Sequence, residues 1–394
     1  MHKLLSTITF SILITAALCM GTSCRDSSAD EPTPPPAPHT STVLVYMVAD
    51  NNLSSFAVDD LNEMSIGMAS LSDETPGRLI VYYAPPAQRP ELREIMRDGT
   101  VKTLVTYTDG LSSVDEERMR SVISDVKKLA PATGYGLVLW SHGTGWLHDR
   151  GTIETSPAVA PQSFGWERPT GKKMSIESLA RAIADFKCDF IYFDCCHMAT
   201  VEVAYELRHI TPLIVASATE LGVEGMPYDK NVSVMFERPL QLSQALANTF
   251  HYYSDQYIND SGPGCSISLI HTSPLDQLAL LTRNIYSTFG PSSPEYKPVN
   301  YFRSIIMDTG IFDMRHHIEH LCTDTQLLAQ WLATFNAVVE EHRATPYVYT
   351  LPADDFHGLG CQVLKSESEA DTYNYRATSW WNDVAKYAFT TDNQ

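Results

Sequence analysis

Residues Thr42–Ala49 read TVLVYMVA, an unbroken apolar run closed by Asp50-Asn51-Asn52. A strand half-exposed to water would alternate polar and apolar positions; one buried on both faces reads like this. Similar runs recur at Arg78–Ala84 (RLIVYYA), Gly136–Ser141 (GLVLWS), Cys188–Asp194 (CDFIYFD) and Leu213–Ser217 (LIVAS). Between them lie stretches with helical spacing: Ser54–Met68, one starting at Ser113, Ser175–Phe186 and Thr200–Leu207. Ser113 with Glu116 three positions on has the form of a capping box. Glu91–Met96 and Lys102–Tyr107 flank Asp98-Gly99, which predicts a hairpin. The alternation predicts an α/β fold, a doubly wound, mostly parallel sheet with helices on both faces. Beyond residue 235 the pattern weakens. Helices near 238–258, 273–289 and 326–343 and strands at Cys265–Ile270 and Gly358–Val363 predict a C-terminal α/β extension.

The first forty residues follow another rule. Met1-His2-Lys3 is short and basic, and Leu4–Met20 is apolar apart from Ser and Thr. That is the form of a secretory signal. It ends in Gly21-Thr22-Ser23-Cys24, three small residues before a cysteine, and resembles a bacterial lipoprotein signal with Cys24 lipidated. Cys19, after Ala16-Ala17-Leu18, is the rival, and plain cleavage without a lipid is the simpler alternative. Five prolines fall between Pro32 and Pro38, so residues 24–40 cannot bury a core. At about 3.1 Å per residue such a linker would hold the body roughly 50 Å from a membrane. The expected organisation is a signal (1–23), a Pro-rich linker (24–40), a core (41–235) and a C-terminal part (236–394). Localisation would be the bacterial cell envelope, lipid-anchored.

Composition narrows the partners. The 394 residues carry 28 Lys and Arg against 47 Asp and Glu, a formal −19. An acidic chain is a poor match for a nucleic-acid backbone and attracts cationic ligands instead. No apolar run in the body reaches the ~18 residues of a spanning helix. Cys188, Cys265, Cys322 and Cys361 lie in a chain large enough to do without disulfide staples and read as core thiols.

Ligands of open α/β sheets gather at the carboxyl ends of the strands. Two ends carry reactive groups: Trp140-Ser141-His142-Gly143-Thr144-Gly145 and Phe193-Asp194-Cys195-Cys196-His197. A His and a Cys on neighbouring strand ends can form a base and nucleophile pair. Gly143 leaves room for a substrate backbone, and its N–H with that of Cys196 would make an oxyanion hole. Asp194 and Cys196 would share a face if the strand persists that far. The vicinal thiols also raise the possibility of a disulfide cap between Cys195 and Cys196. A metal site from Asp194, Cys195, Cys196 and His197 has the wrong spacing for zinc. His316, His317 and His320 are spaced to share a helix face and read more simply as surface histidines.

These residues resemble the clostripain family of cysteine peptidases, in the caspase-like clan. The resemblance rests on Val45-Tyr46-Met47 with Ala49-Asp50-Asn51-Asn52-Leu53, on Leu139–Trp146, and on Phe193-Asp194-Cys195-Cys196 with Glu202–Leu207. Ser217, Glu220, Gly222 and Pro227-Tyr228 echo a further stretch, as do Gly360 and Trp380-Trp381. It implies a caspase-like fold and an endopeptidase cleaving after Arg or Lys. It implies His142 as the catalytic His and Cys196 as nucleophile, with Cys195 where the family carries Ala. That substitution leaves two adjacent thiols as candidates. It implies that Asp194 lines the S1 pocket, and that His142 protonates the leaving amine more than it activates the thiol. The resemblance also implies self-cleavage, since family members are often processed in a loop between His and Cys; here residues 144–173 form a polar stretch with Arg150, Arg168, Lys172 and Lys173. Calcium serves some relatives, but no loop with calcium-ligand spacing occurs here, and no cofactor is expected to be required. Expected partners are peptides or proteins bearing Arg or Lys, a membrane through the anchor, and no nucleic acid. The competing reading is a non-catalytic surface-binding lipoprotein that keeps the peptidase fold. No orienting partner for His142 is legible.

Overall fold

The computed structural model describes residues 40–72, 74–147, 163–259, 262–291, 299–301, 311–372 and 374–390. Cys19, Cys24, Arg150 and nearly all of the linker lie outside these residues.

In chain order the core runs β1 (Ser41–Val48), α1 (Ser54–Ala69), β2 (Gly77–Ala84), β3 (Glu91–Ile95), β4 (Val101–Thr106), α2 (Glu116–Leu129) and β5 (Gly134–Trp140). A short hairpin, β6 (Phe164–Glu167) and β7 (Lys172–Met174), precedes α3 (Ile176–Ile183). Then come β8 (Phe190–Asp194), α4 (Val201–Leu207), β9 (Leu213–Ala216), α5 (Tyr228–Met235) and α6 (Leu242–Ile258). The C-terminal part adds β10 (Ser266–His271), α7 (Leu275–Phe289), β11 (Phe312–Asp313), α8 (Met314–Leu321), α9 (Thr325–Val338) and β12 (Val339–Ala344). Three two-residue strands follow: β13 (Tyr347–Val348), β14 (Leu351–Pro352) and β15 (Gly360–Cys361).

Nine strands form one sheet in the order β12-β10-β9-β8-β5-β1-β2-β3-β4. The five central strands, β9 to β2, are parallel, and β3 and β10 run against them. The apolar runs are explained by the two cores. In β1, Leu44, Tyr46 and Val48 pack under α2, α3 and α4, while Val43, Val45 and Met47 pack against α1, α5 and α6. Both sides of the pleat are buried, so the sequence cannot alternate. β2 and β5 lie on opposite sides of β1. The chain therefore reverses its winding between β1 and β5, and a crevice opens at their carboxyl ends.

Several expectations change in detail. α2 begins after Asp115, not at a Ser113 cap. Ser113 is fully buried instead, its carbonyl accepting from the Tyr46 hydroxyl (2.7 Å) and its hydroxyl 3.0 Å from that of Tyr82. The helix expected over 326–343 stops at Val338, and Val339–Ala344 becomes an edge strand antiparallel to β10. Of Gly358–Val363 only Gly360–Cys361 pairs, with β11. The C-terminal part is tied to the core through Glu202 of α4. Its Oε1 accepts from the Gln362 amide (2.8 Å) and the Tyr375 hydroxyl (2.7 Å), and burial pushes the carboxyl up to about 7.

Candidate active site

The crevice is a cavity of about 320 Å³. The loops after β1, β5 and β8 meet there, and Leu53, His142, Gly143, Asp194, Cys196 and Tyr349 all face it. Strand-end residues that lie far apart in the chain are neighbours because β1, β5 and β8 are neighbours in the sheet.

β8 ends at Asp194, short of the two adjacent cysteines, which lie in the turn after it and are separated by their packing. Asp194 and Cys196 turn toward the face of α1 and α5. Cys195 turns into the opposite core, its thiol donating to the Leu139 carbonyl at 3.0 Å. Both are free thiols, and their side chains pack into opposite cores, which disfavours a vicinal disulfide. Cys196 is partly exposed and accepts from the Leu221 N–H at 3.3 Å. Burial pushes its thiol up to about 11; the Leu221 amide opposes the shift, and the Glu220 and Asp194 charges add to it. The next residue, His197, also lines the cavity and is left-handed (φ 60°). Its Nδ1 lies 3.0 Å from the Ala218 carbonyl, and its amide donates to Thr219, strapping this turn to the 217–221 loop.

His142 follows β5. Its Nε2 lies 2.8 Å from Asn52 Oδ1, so Asn52 is the orienting partner that the sequence did not yield. Trp166 of β6 packs edge-on against the imidazole, ring centres 5.7 Å apart. Burial, with the positive charges of Lys173 and Arg168 behind it, lowers His142 to about 4. Asn51 builds the frame. Its side-chain amide donates to the carbonyls of Val48 (2.9 Å) and Trp166 (3.0 Å), joining β1 to the β6 hairpin. The stretch 144–173 is thus not one loop, since residues 164–174 fold onto His142.

Gly143 pairs with Phe164 through bonds made by the flanking residues, Thr144 N–H to Ser163 O and Gly165 N–H to His142 O. In such a pair the residue's own N–H points away from its partner strand. A side chain at 143 would meet the Cys196 carbonyl at 2.6 Å and Cys195 Cβ at 2.9 Å, so only glycine fits between the two strand ends.

A thiol held up and an imidazole held down give a neutral pair at rest rather than thiolate and imidazolium. Alkylation of Cys196 by iodoacetamide should therefore rise about tenfold per pH unit from pH 7 toward 10, because only the thiolate reacts. Mass spectrometry of the Cys196 peptide measures this. A rate already flat at pH 7 would reveal an ion pair.

Asp194, the last residue of β8, is 6% exposed. Its carboxylate accepts from the Met226 N–H (3.1 and 3.2 Å) and the Tyr228 hydroxyl (3.0 Å). Two further residues escaped sequence reasoning. Tyr349, at φ 52°, reaches the cavity from the turn between β13 and β14. Asp60 of α1 lies beside the Asp194 pocket, its carboxylate accepting from Trp140 Nε1 at 2.6 Å. A signal for Asp60 existed: it sits on the buried stripe Ala57, Asp60, Met64, Met68, an acid at a core position. His317 is buried beside Tyr286 rather than on the surface. Among the described residues no cluster of three or more His, Cys, Asp or Glu is arranged to hold a metal.

Solved structures with the same fold include a secreted C11 cysteine protease from Bacteroides thetaiotaomicron in complex with an irreversible peptide inhibitor. It is 28% identical, with a TM-score of 0.73, over 89% of this chain and 100% of that one. An inactive zymogen C11 protease from Parabacteroides distasonis is 26% identical, with a TM-score of 0.74, over 88% and 98%. No curated protein matches. The family model described as the clostripain family, Peptidase_C11, matches residues 45–357. Most of the chain lies within that match, and the protein belongs to the clostripain family of cysteine peptidases.

Proposed function

We propose that the protein is an exported endopeptidase that cleaves after Arg or Lys, with Cys196 as nucleophile and His142 as its proton-transfer partner. The observation that carries the specificity is Asp194, a buried carboxylate without a cationic partner among the described residues, in the cavity that holds Cys196. A desolvated carboxylate gains most from a guanidinium or ammonium group, and Arg can meet it with two bonds.

The steps follow from the neutral pair. The Cys196 sulfur attacks the scissile carbonyl as its proton passes to His142, forming the C–S bond. The Gly143 and Cys196 amides receive the developing oxyanion. His142 then gives the proton to the leaving amine as the C–N bond breaks, and water hydrolyses the thioester. Asn52 holds the imidazole in place, which makes it a positioning residue.

Fluorogenic peptides with Arg, Lys, Asp or Leu at P1 test the reading. Cleavage is expected after Arg and Lys, and Asp194→Asn should lower kcat/KM for them roughly 100-fold or more by leaving the cation unpaired. Cleavage only after Leu or Asp would discard the pocket assignment. No cleavage at all would favour the non-catalytic binding role.

Export is supported by the N-terminal pattern and by the relative described as secreted. We place residues 1–23 as signal, 24–40 as linker, 41–235 as catalytic core and 236–394 as the C-terminal part of the peptidase. No cofactor enters this scheme. Labelled fatty acid should be incorporated by the wild-type protein and by Cys19→Ala in a bacterial host, and lost in Cys24→Ala. Loss in Cys19→Ala instead would move the anchor.

A further inference from the structure

A second carboxylate lies beside the Asp194 pocket. Asp60 is 1% exposed, Asp194 is 6% exposed, and Gly225 lies against both. A Cβ on Gly225 would be 2.8 Å from Asp194 Oδ2 and 3.3 Å from Asp60 Oδ2, so the two carboxylates flank one point. Among the described residues Asp60 has a single hydrogen-bond donor, Trp140 Nε1. Among the described residues neither acid forms an ion pair.

The surroundings add negative charge. α1 also carries Asp59 and Glu63, the loop before α5 carries Glu220 and Glu224, and α5 carries Asp229; Tyr228 and Lys230 on the same helix do not add to it. On α6, Tyr253 spends its hydroxyl on the carbonyls of Gly222 and Gly225. Two buried, unpaired carboxylates this close cannot both ionise at moderate cost.

We propose that Asp60 and Asp194 hold one proton between them in the empty pocket, and that a basic P1 side chain enters by displacing that proton to solvent. This rests on Asp194 being the P1 pocket. Asp60 then becomes a second specificity-determining residue, and recognition of a cation is coupled to release of one H⁺. Neutral side chains gain nothing from that exchange. Burial raises both acids, Asp60 the more; the Asp194 charge adds to the shift of Asp60, while Asp194 is held lower by its bonds from Met226 and Tyr228 and raised a little by Glu63. His142 and His197, lowered to about 4, and Cys196, raised to about 11, titrate outside the middle range.

The test uses the intact enzyme and benzamidine, a cation that mimics a P1 side chain. Calorimetry in buffers of different ionisation enthalpy counts the protons released. About one proton per benzamidine is expected, with the Kd tightening toward tenfold per pH unit over part of the range from pH 5 to 8. Asp60→Asn should still bind but release almost none, with a flat Kd. Binding by the intact enzyme without proton release would overturn the shared proton. Undiminished release in Asp60→Asn would overturn the role of Asp60. Absence of benzamidine binding together with absence of cleavage after Arg and Lys would instead remove the Asp194 pocket on which both readings stand.

Discussion

Cys196→Ala should abolish peptide hydrolysis, while Cys195→Ala should leave kcat/KM within a few-fold of wild type. The fall for Cys196 should exceed about 1,000-fold, since loss of a nucleophile leaves only binding and oxyanion contacts. Composition does not separate the two thiols; their packing does. Cys195 bonds to Leu139 O inside one core, whereas Cys196 opens to the cavity beside Asp194. Removing the Cys195 sulfur takes one atom from a packed site and should cost about 1 kcal/mol of stability, read as a shift in Tm. Steady-state kinetics of both variants, with circular dichroism to verify folding, decides the matter. Activity lost in Cys195→Ala and kept in Cys196→Ala would exchange the roles.

His142→Ala should lower kcat by about 100- to 10,000-fold with little change in KM, the signature of a lost proton-transfer group rather than a lost contact. Asn52 provides a finer test. Asn52→Ala frees the ring and should cost roughly tenfold in kcat. Asn52→Asp should behave differently. A carboxylate at Nε2 favours imidazolium, so the His142 pKa must rise from its lowered value. Protonated His142 cannot accept the thiol proton, so the acid limb of kcat/KM should move to higher pH. An unmoved limb in Asn52→Asp would leave Asn52 a merely structural contact.

Much of the fold was legible because burial on both faces leaves a plain mark. Five unbroken apolar runs gave the five parallel strands almost to the residue. The edges were harder. Val339–Ala344 carries two glutamates, a histidine and an arginine, and its strand state comes from pairing with β10 rather than from its own pattern. The strand-end residues His142, Gly143, Asp194 and Cys196 could be named because each follows an apolar run. Asn52 and Asp60 could not be given roles, since their partners lie 90 and 80 positions away. Only the sheet order brings those pairs together. Ser113 misled for the same reason: local spacing favoured a cap, and two tyrosines from distant strands claimed it.

The order of strands also fixes what a break in the backbone would mean. A cut within residues 148–162 would leave β1, β2 and β5 on one polypeptide and β8, β9 and β10 on another. The seam would run between β5 and β8, with His142 on one side and Cys196 on the other. Trp166 and the Asn51 bond to its carbonyl would cross the same seam. The nicked enzyme would be an obligate heterodimer whose active site is its subunit interface. It would work as long as it stayed folded, but recovery from denaturation would become a second-order reaction, slowing on dilution where the uncut chain would not.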